Sequence, residues 1–455
     1  MNTQFEIDKQ WFRSRDGKHL LAGSPLTSFT VSEAGARILD AIESSSDLGT
    51  GHEKLTSRLL ATGSLHPTPV SPVATTEITV VIPAFITTTE EAERLQELVT
   101  SLQNLTVIVV DDCSPIHVSL THCEVLRNEE NRGPSTCRNR GLALVQTPFV
   151  AFVDSDAHAD VNQLCLLASV LLDESTVLAA PRIRTRNENT GITEYESFHS
   201  PLDLGPDPAV VRPLSRVSYV PATVLVAHTM RLQEIGAFDE DLRLGEDVDL
   251  VWRACEKGEL VRYLPSIECH HDARTSWRKF IQQRFSYGRS AASLDRRHPY
   301  AASPLRAHVL MVLLAISILS GYLYLALLLT PPIFAYFILI LRSTRTSIRQ
   351  RVDVTRIGCL STLRLLALAV RRAWWPLFVV TSFFSVRATA MYTFALFTPL
   401  MFGILRNKPR AVGSYVALRI IDDLSYGAGV WVGAILQCSP RCLLPVLTVR
   451  RTKHR

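Results

Sequence analysis

The chain has 455 residues, 47% of them hydrophobic and 20% charged. That is too apolar for a disordered chain and too long for one ordinary domain, so two or three domains are expected. The net charge of +5 hides a split: residues 1–277 hold 23 Lys and Arg against 39 Asp and Glu, whereas residues 278–455 hold 25 against 4.

A basic tail can serve nucleic acid, but here arginines alternate with long apolar runs. That pattern suits an anionic membrane surface, and no nucleic-acid partner is expected. The nine cysteines show no CxxC pairs and no repeated spacing. This argues against a zinc site or a disulfide framework and for reduced cytosolic thiols. The first residues, MNTQFEIDKQWFRSRDGKH, lack a signal-peptide core, so the acidic part is expected to stay in the cytoplasm.

Residues 1–66 read as a small soluble module. Thr30-x-x-Glu33 has capping-box spacing, and the helix after it places Ala36, Leu39 and Ile42 on one face. A second helix, HEKLTSRLLATG, is expected to stop at Gly63. Short strands at LLAGSP and SLHP complete a winged-helix-like pattern. Residues 67–77 hold three prolines and little that can pack, the composition of a linker.

Residues 78–300 alternate strand and helix. ITVVIPAF, LTVIVVDD and PFVAFVDSD are apolar runs of the kind buried on both sheet faces, and the last two end in acids. TTTEEAERLQELVTSLQN between the first two has helical spacing. The alternation predicts an α/β fold with a mostly parallel sheet flanked by helices, whose ligands sit beyond the carboxyl ends of the strands.

Residues 301–455 form a basic, apolar helical region. Val309 to Leu341 carries no charge over 33 residues. A helix of that length would be about 50 Å long, and one crossing needs only about 20 residues. Pro331-Pro332 is expected to break it, leaving one span with an interfacial piece or a re-entrant hairpin. A second run, Trp374 to Leu405, is interrupted by Arg387, and Trp374-Trp375 beside Arg371-Arg372 has the look of an interface anchor. Membrane association follows, with the preceding domain on the cytoplasmic side of the cell membrane.

Chemistry concentrates in four fragments. Asp111-Asp112-Cys113-Ser114 and Asp154-Ser155-Asp156 each follow a buried strand. Paired carboxylates of this kind suit Mg²⁺ or Mn²⁺, whose partner is often a diphosphate. Between them, Gly133-Pro134 can open a helix, on which Ser135, Thr136 and Cys137 are small enough to pack near the sheet. Arg132 or Arg138 can reach a phosphate or hold an acid. Glu246, Asp247 and Asp249 begin another helix, where capping explains one or two acids and a general base can be the third. Cys269-His270-His271-Asp272-Ala273-Arg274 ends a strand, and His271 can complete an oxygen-rich metal site.

ITVVIPAF, VIVVDDCS, NRGPSTCRNRG, VDSD and GAFDEDLRLGEDVDLVWR, followed by His271, together resemble the inverting family 2 glycosyltransferases of GT-A fold. The resemblance implies sugar transfer from a nucleotide-sugar with a divalent metal, Mg²⁺ or Mn²⁺. It implies nucleotide-sugar contacts from Pro83, Asp111, Asp112, Gly133, Arg138 and Asp154. Asp154, Asp156 and His271 would serve the metal, and Asp247 the base role with Glu246 as fallback. Cys113 and Cys137 depart from the residues many members carry, at positions that need no charge.

The front segment is similar to peptide-binding modules of peptide-modification systems. SYGRSAASLDRRHP and RIIDDLSYGAGVWVGAI resemble the mycofactocin system glycosyltransferases. That likeness implies UDP-glucose as donor, a peptide-derived redox cofactor as acceptor and a β-linked glucose chain as product.

Three rival readings stand beside it. A nucleotidylyltransferase would carry a Gly-rich basic loop after the first strand, where Pro83-Ala84-Phe85-Ile86-Thr87 stands instead. A non-catalytic peptide-binding membrane scaffold would not need every acidic cluster. A transferase of cell-envelope polysaccharide synthesis keeps the chemistry and changes the acceptor.

Overall fold

The computed structural model describes residues 4–117, 119–186, 190–273 and 275–449. Arg274 of the last sequence fragment lies outside them.

The front segment comprises β1 (Gln4–Ile7), β2 (Trp11–Arg13), β3 (His19–Ala22), β4 (Thr27–Thr30), α1 (Glu33–Glu43), α2 (Glu53–Ala61) and β5 (Leu65–Thr68). β1 pairs with β5, and β2, β3 and β4 form an antiparallel sheet. Leu20, Phe29, Leu39, Leu59 and Leu65 bury together between them. The cap of α1 is Ser32, whose Oγ accepts from Gly35 N at 3.2 Å, rather than Thr30. Thr30 is the last residue of β4 and pairs with His19, so the helix begins later than its capping-box spacing suggests. Gly63 follows α2 with φ of 67°.

The central segment holds β6 (Ile78–Ala84), α3 (Thr89–Ser101), β7 (Thr106–Asp111), β8 (Glu124–Arg127), α4 (Pro134–Leu142), β9 (Phe149–Val153), β10 (Ala157–His158), α5 (Val161–Ser169) and β11 (Thr176–Arg186). It continues with α6 (Gly191–His199), β12 (Ala209–Val210), β13 (Val224–His228), α7 (Thr229–Ile235), α8 (Glu246–Glu256), β14 (Leu260–Asp272) and α9 (Trp277–Arg297). One nine-stranded sheet runs β10-β14-β11-β13-β9-β6-β7-β8, with β12 on β14. β14, β11, β9, β6, β7 and β8 point one way, while β10, β12 and β13 oppose them. β6 and β9 are buried at every residue, because helices cover both faces. Neighbouring β9 and β7 lie on opposite sides of β6, the switch point at which such sheets bind ligands.

Two details bring this sheet and its neighbours close. A Cβ on Gly141 of α4 would overlap Val81 of β6. Val73, in the proline-rich stretch expected to hold little that packs, buries against the sheet layer and donates its N–H to Cys165 O at 3.1 Å.

The remainder is β15 (Arg306–His308), α10 (Val309–Leu319), α11 (Leu323–Ile340), α12 (Ile348–Arg372), α13 (Trp375–Ser382), α14 (Val386–Asn407), α15 (Val412–Leu436) and β16 (Val446–Thr448). The uncharged run breaks at residues 320–322, where Gly321 has φ of 74°, and not at Pro331-Pro332, which lie inside α11. Two prolines remove two backbone donors, yet the helix runs on through both to Ile340. Trp374 and Trp375 turn into the protein. The Trp374 indole N–H donates to Leu443 O at 2.7 Å, and Trp375 fills the space left by Gly427.

Two helices, Leu323–Thr344 and Val386–Asn407, are long and apolar enough to cross a membrane, with mean hydropathies of 2.2 and 1.6. Their most apolar windows are only 11% and 17% buried, so most of that surface faces outward.

Candidate active site

The ends of β6, β7 and β9 bring the first two acidic fragments to one edge of the sheet. Asp111 closes β7; its carboxylate accepts from Ser114 N at 2.9 Å and from the Arg127 guanidinium. Asp112 is more fully engaged, accepting from Asn128 Nδ2 at 2.7 Å, Arg132 N at 2.9 Å and Gly133 N at 2.8 Å. Both side chains are buried. Their oxygens fix the loop that carries Gly133, whose φ of 91° suits glycine and whose neighbour Pro134 opens α4. Pro83 is buried in β6, paired with Val110.

Along α4, Ser135 and Cys137 face the core, while Thr136 donates to Glu240 Oε2 at 2.9 Å. Packing against the sheet was expected of all three, but Thr136 lies on the face turned to the loop of residues 236–240. Asn139 ties the same loop down through Phe238, accepting from its N–H at 3.0 Å and donating to its carbonyl at 2.8 Å.

Arg138 is the hinge of the arrangement. Its Nη2 donates to Asp154 Oδ1 at 2.7 Å and its Nη1 to Glu246 Oε1 at 2.9 Å. The guanidinium lies 5.2 Å from the Phe238 ring and is nearly excluded from solvent. Burial opposes its charge, but Asp154 and Glu246 overcome that and raise its pKa. Of the two roles open to this residue in the sequence, the geometry shows it holding acids.

Three acids open α8, and their surroundings differ. Glu246 is bound by Arg138. Asp249 is buried between His298 Nε2 at 3.0 Å and Arg253 Nε at 2.7 Å. Asp247 receives only backbone N–H groups among the described residues, from Val248 at 2.8 Å and Ala222 at 3.3 Å. Burial first, and the Glu246 charge second, push its pKa up to about 7.

The fourth fragment arrives on β14, whose end pairs antiparallel with β10. His271 Nε2 stands 3.1 Å from Asp156 Oδ2. His270 has its side chain on the exposed side of the strand. Beside them, His158 Nε2 lies 3.2 Å from Asp272 Oδ1, a pair that sequence reading did not single out.

Among the described residues, no three His, Cys, Asp or Glu side chains converge as a ready metal cage. The donor set nonetheless fits Mg²⁺ or Mn²⁺. Asp156 offers a hard oxygen and His271 a nitrogen, and such ions commonly take one or two protein ligands plus phosphate oxygens and water.

The mostly parallel sheet flanked by helices is a GT-A-like α/β fold. The family model described as Glycosyl transferase family 2 matches residues 79–227. Over 461 aligned residues the chain is 35% identical to the pre-mycofactocin glycosyltransferase of Mycobacterium tuberculosis, in strains CDC 1551 / Oshkosh and ATCC 25618 / H37Rv alike, with 97% of each chain covered. The chain belongs to the family 2 glycosyltransferases. Its similarity to the pre-mycofactocin enzyme runs through the front module and the basic tail as well as the catalytic segment.

Among solved structures it resembles the mannosyltransferase PcManGT of Pyrobaculum calidifontis in complex with GDP-Man and Mn²⁺. The identity is 14% and the TM-score 0.42, over 89% of this chain and 96% of that one. GalNAc-T7 with UDP, GalNAc and Mn²⁺ gives 14% and 0.36, over 54% and 52%.

Proposed function

We propose that this glycosyltransferase moves glucose from UDP-glucose to a hydroxyl of the peptide-derived cofactor precursor pre-mycofactocin, with inversion, and extends it into a β-linked oligosaccharide. The observation that carries the reaction is Asp247. Among the described residues it alone of its three-acid group has no cationic side chain bonded to it, and its raised pKa suits proton transfer near neutrality. The acceptor reading rests on similarity to the mycobacterial enzyme over 97% of both chains.

In this mechanism Asp247 takes the proton from the acceptor hydroxyl as that oxygen attacks the anomeric carbon. The bond to the diphosphate breaks on the opposite face, so an α-linked donor gives a β-linked product without a covalent enzyme intermediate. Asp154, held by Arg138, lies on the donor side, and the loop fixed by Asp111 and Asp112 presents Gly133 and its backbone to the nucleotide. A Mg²⁺ or Mn²⁺ held by Asp156 and His271, with Asp154 alongside, would neutralise the diphosphate as a Lewis acid. Residues 1–66 serve as the peptide-recognition module, 67–77 as linker and 78–300 as the catalytic domain. Residues 301–455 seat the enzyme on the cytoplasmic face of the cell membrane.

The test is incubation of the purified full chain with UDP- and GDP-sugars, Mn²⁺ or Mg²⁺, and synthetic pre-mycofactocin, reading nucleotide diphosphate release and product mass. Hexose addition from UDP-glucose supports the reading. Turnover only with a lipid-linked polysaccharide acceptor moves the enzyme to envelope synthesis. No turnover with any donor, in protein that is folded, favours a binding scaffold.

A further inference from the structure

The two long apolar helices are not isolated rods. α10 and α11 form one hairpin with its turn at residues 320–322, and α13 and α14 form another with its turn at residues 383–385. The turns lie together: Arg387 Cζ stands 3.7 Å from the Tyr322 ring, and Ser320 Oγ is 3.6 Å from Met391 Sδ. Phe383 and Phe384, at the second turn, are 83% and 86% exposed.

The opposite ends of both hairpins are held by the rest of the protein. His308, ahead of α10, packs on Phe337 of α11 at 4.9 Å between ring centres and bonds Val449 O at 3.1 Å. Trp374, ahead of α13, is tied to Leu443 O, and Arg410 N, after α14, donates to Glu194 Oε1 of α6 at 2.8 Å. α12 joins the hairpins without leaving that side. Gln350 near its start donates to Arg13 O at 2.8 Å, and Arg372 at its end pairs with Asp422 at 3.0 Å.

The short arms then set the depth. α10 has 11 residues and α13 has 8. At about 1.5 Å per residue these reach about 16 and 12 Å, near half of an apolar core about 30 Å thick. Exposed Arg342, Arg345 and Arg349 follow α11, Arg406 and Lys408 close α14, and residues 300–410 contain a single acid, Asp353.

We infer that both hairpins dip into one leaflet of an anionic bilayer and return, so that no part of this region crosses the membrane. The inference rests on the membrane reading above and sharpens it from surface attachment to a monotopic anchor of stated depth. Arg387 is the charge that such a tip must carry inward, and its place on the Tyr322 ring reduces that cost.

The experiment adds full-length Phe384→Cys protein to preformed vesicles with a membrane-impermeant maleimide trapped inside, and maps the labelled cysteine by mass spectrometry. Parallel samples carry nitroxide lipids that quench a fluorophore on the same cysteine. The expected result is quenching by nitroxides deep in the acyl chains and no labelling from the lumen. Lumenal labelling of the introduced thiol would show a crossing hairpin and overturn the inference. Failure to bind any vesicle would instead overturn the membrane reading itself.

Phosphatidylcholine vesicles with phosphatidylglycerol should bind at least about tenfold tighter than phosphatidylcholine alone, and equal binding would remove the charge argument. Arg387→Leu supplies an independent check. It should tighten binding if the tip rests within the leaflet, and weaken it if the tip reaches far-side headgroups.

Discussion

Arg138 Nη1 meets Glu246 Oε1 at 2.9 Å across 108 positions of chain, while its other arm holds Asp154 at 2.7 Å. One buried guanidinium therefore joins the acid after β9 to the motif that presents Asp247. Removing it leaves two carboxylates facing each other without a counter-charge. Arg138→Met should lower stability by about 3–5 kcal/mol. Arg138→Lys, which delivers one point charge where two arms are needed, should keep part of the stability and lose donor affinity. Thermal unfolding and donor titration separate the two effects, and an unchanged melting temperature in the methionine variant would remove Arg138 from this role.

Asp247→Asn should lower kcat by about 10²–10⁴-fold with donor affinity retained. Its stability should move the other way. A carboxyl whose pKa is raised on folding gives stability that is complete below its unfolded value and lost as pH rises through about 7. The asparagine variant should thus melt higher than the parent at pH 8 and equally at pH 4. A near-normal rate would exclude Asp247 as the base.

The active form of Asp247 is the deprotonated one, so kcat/KM should fall about tenfold per pH unit below about 7 and level off above it. Glu246→Gln keeps a hydrogen-bonding partner for Arg138 but removes the like charge beside Asp247. The acidic limb should then shift to lower pH. A limb that stays in place would mean that another group controls it.

Asp156→Asn and His271→Ala should each weaken donor binding in the presence of Mn²⁺ while leaving metal-free binding unchanged. Calorimetric titration with and without chelator reads the difference. Equal loss in both conditions would mean that the pair only shapes the β10–β14 edge.

How far the sequence disclosed this arrangement depends on the range of each contact. β6, β7 and β9 are legible because strands buried on both faces read as near-continuous apolar runs, and the acids mark where β7 and β9 end. The contact of His271 with Asp156 comes from the turn just before β10, because the register sets Ala157 rather than Asp156 opposite His271, and nothing local reports that β10 and β14 are adjacent. Asp112 gave no sign that its oxygens would be taken by Asn128, Arg132 and Gly133, because those partners lie 16 to 21 residues downstream. The turn at Gly321 is not legible because Pro331-Pro332 is the stronger local breaker, yet α11 continues through both prolines.

SYGRSAASLDRRHP and RIIDDLSYGAGVWVGAI, two motifs with no evident chemistry, become intelligible as α9 and α15. A Cβ on Gly288 would overlap the Tyr426 carbonyl, and one on Gly429 the Phe285 carbonyl. Gly288→Ala should therefore cost at least about 1–3 kcal/mol, read as a lower melting temperature, whereas Gly413→Ala, where a Cβ meets nothing, should be neutral to that clash.

That backbone-on-backbone seam has a mechanical meaning. Where Gly288, Gly429 and Gly433 lie, no side chain separates the two backbones, and α9 and α15 are packed as one stiff strut. One end of the strut supports Gly245, just ahead of Asp247, through Ser290 and Leu294. Its other flank grips α12 through Arg371 and Arg372 on Asp423 and Asp422. The altitude of Asp247, the proposed base, above the greasy hairpins is thereby built in, like the working height of a tool clamped to a bench.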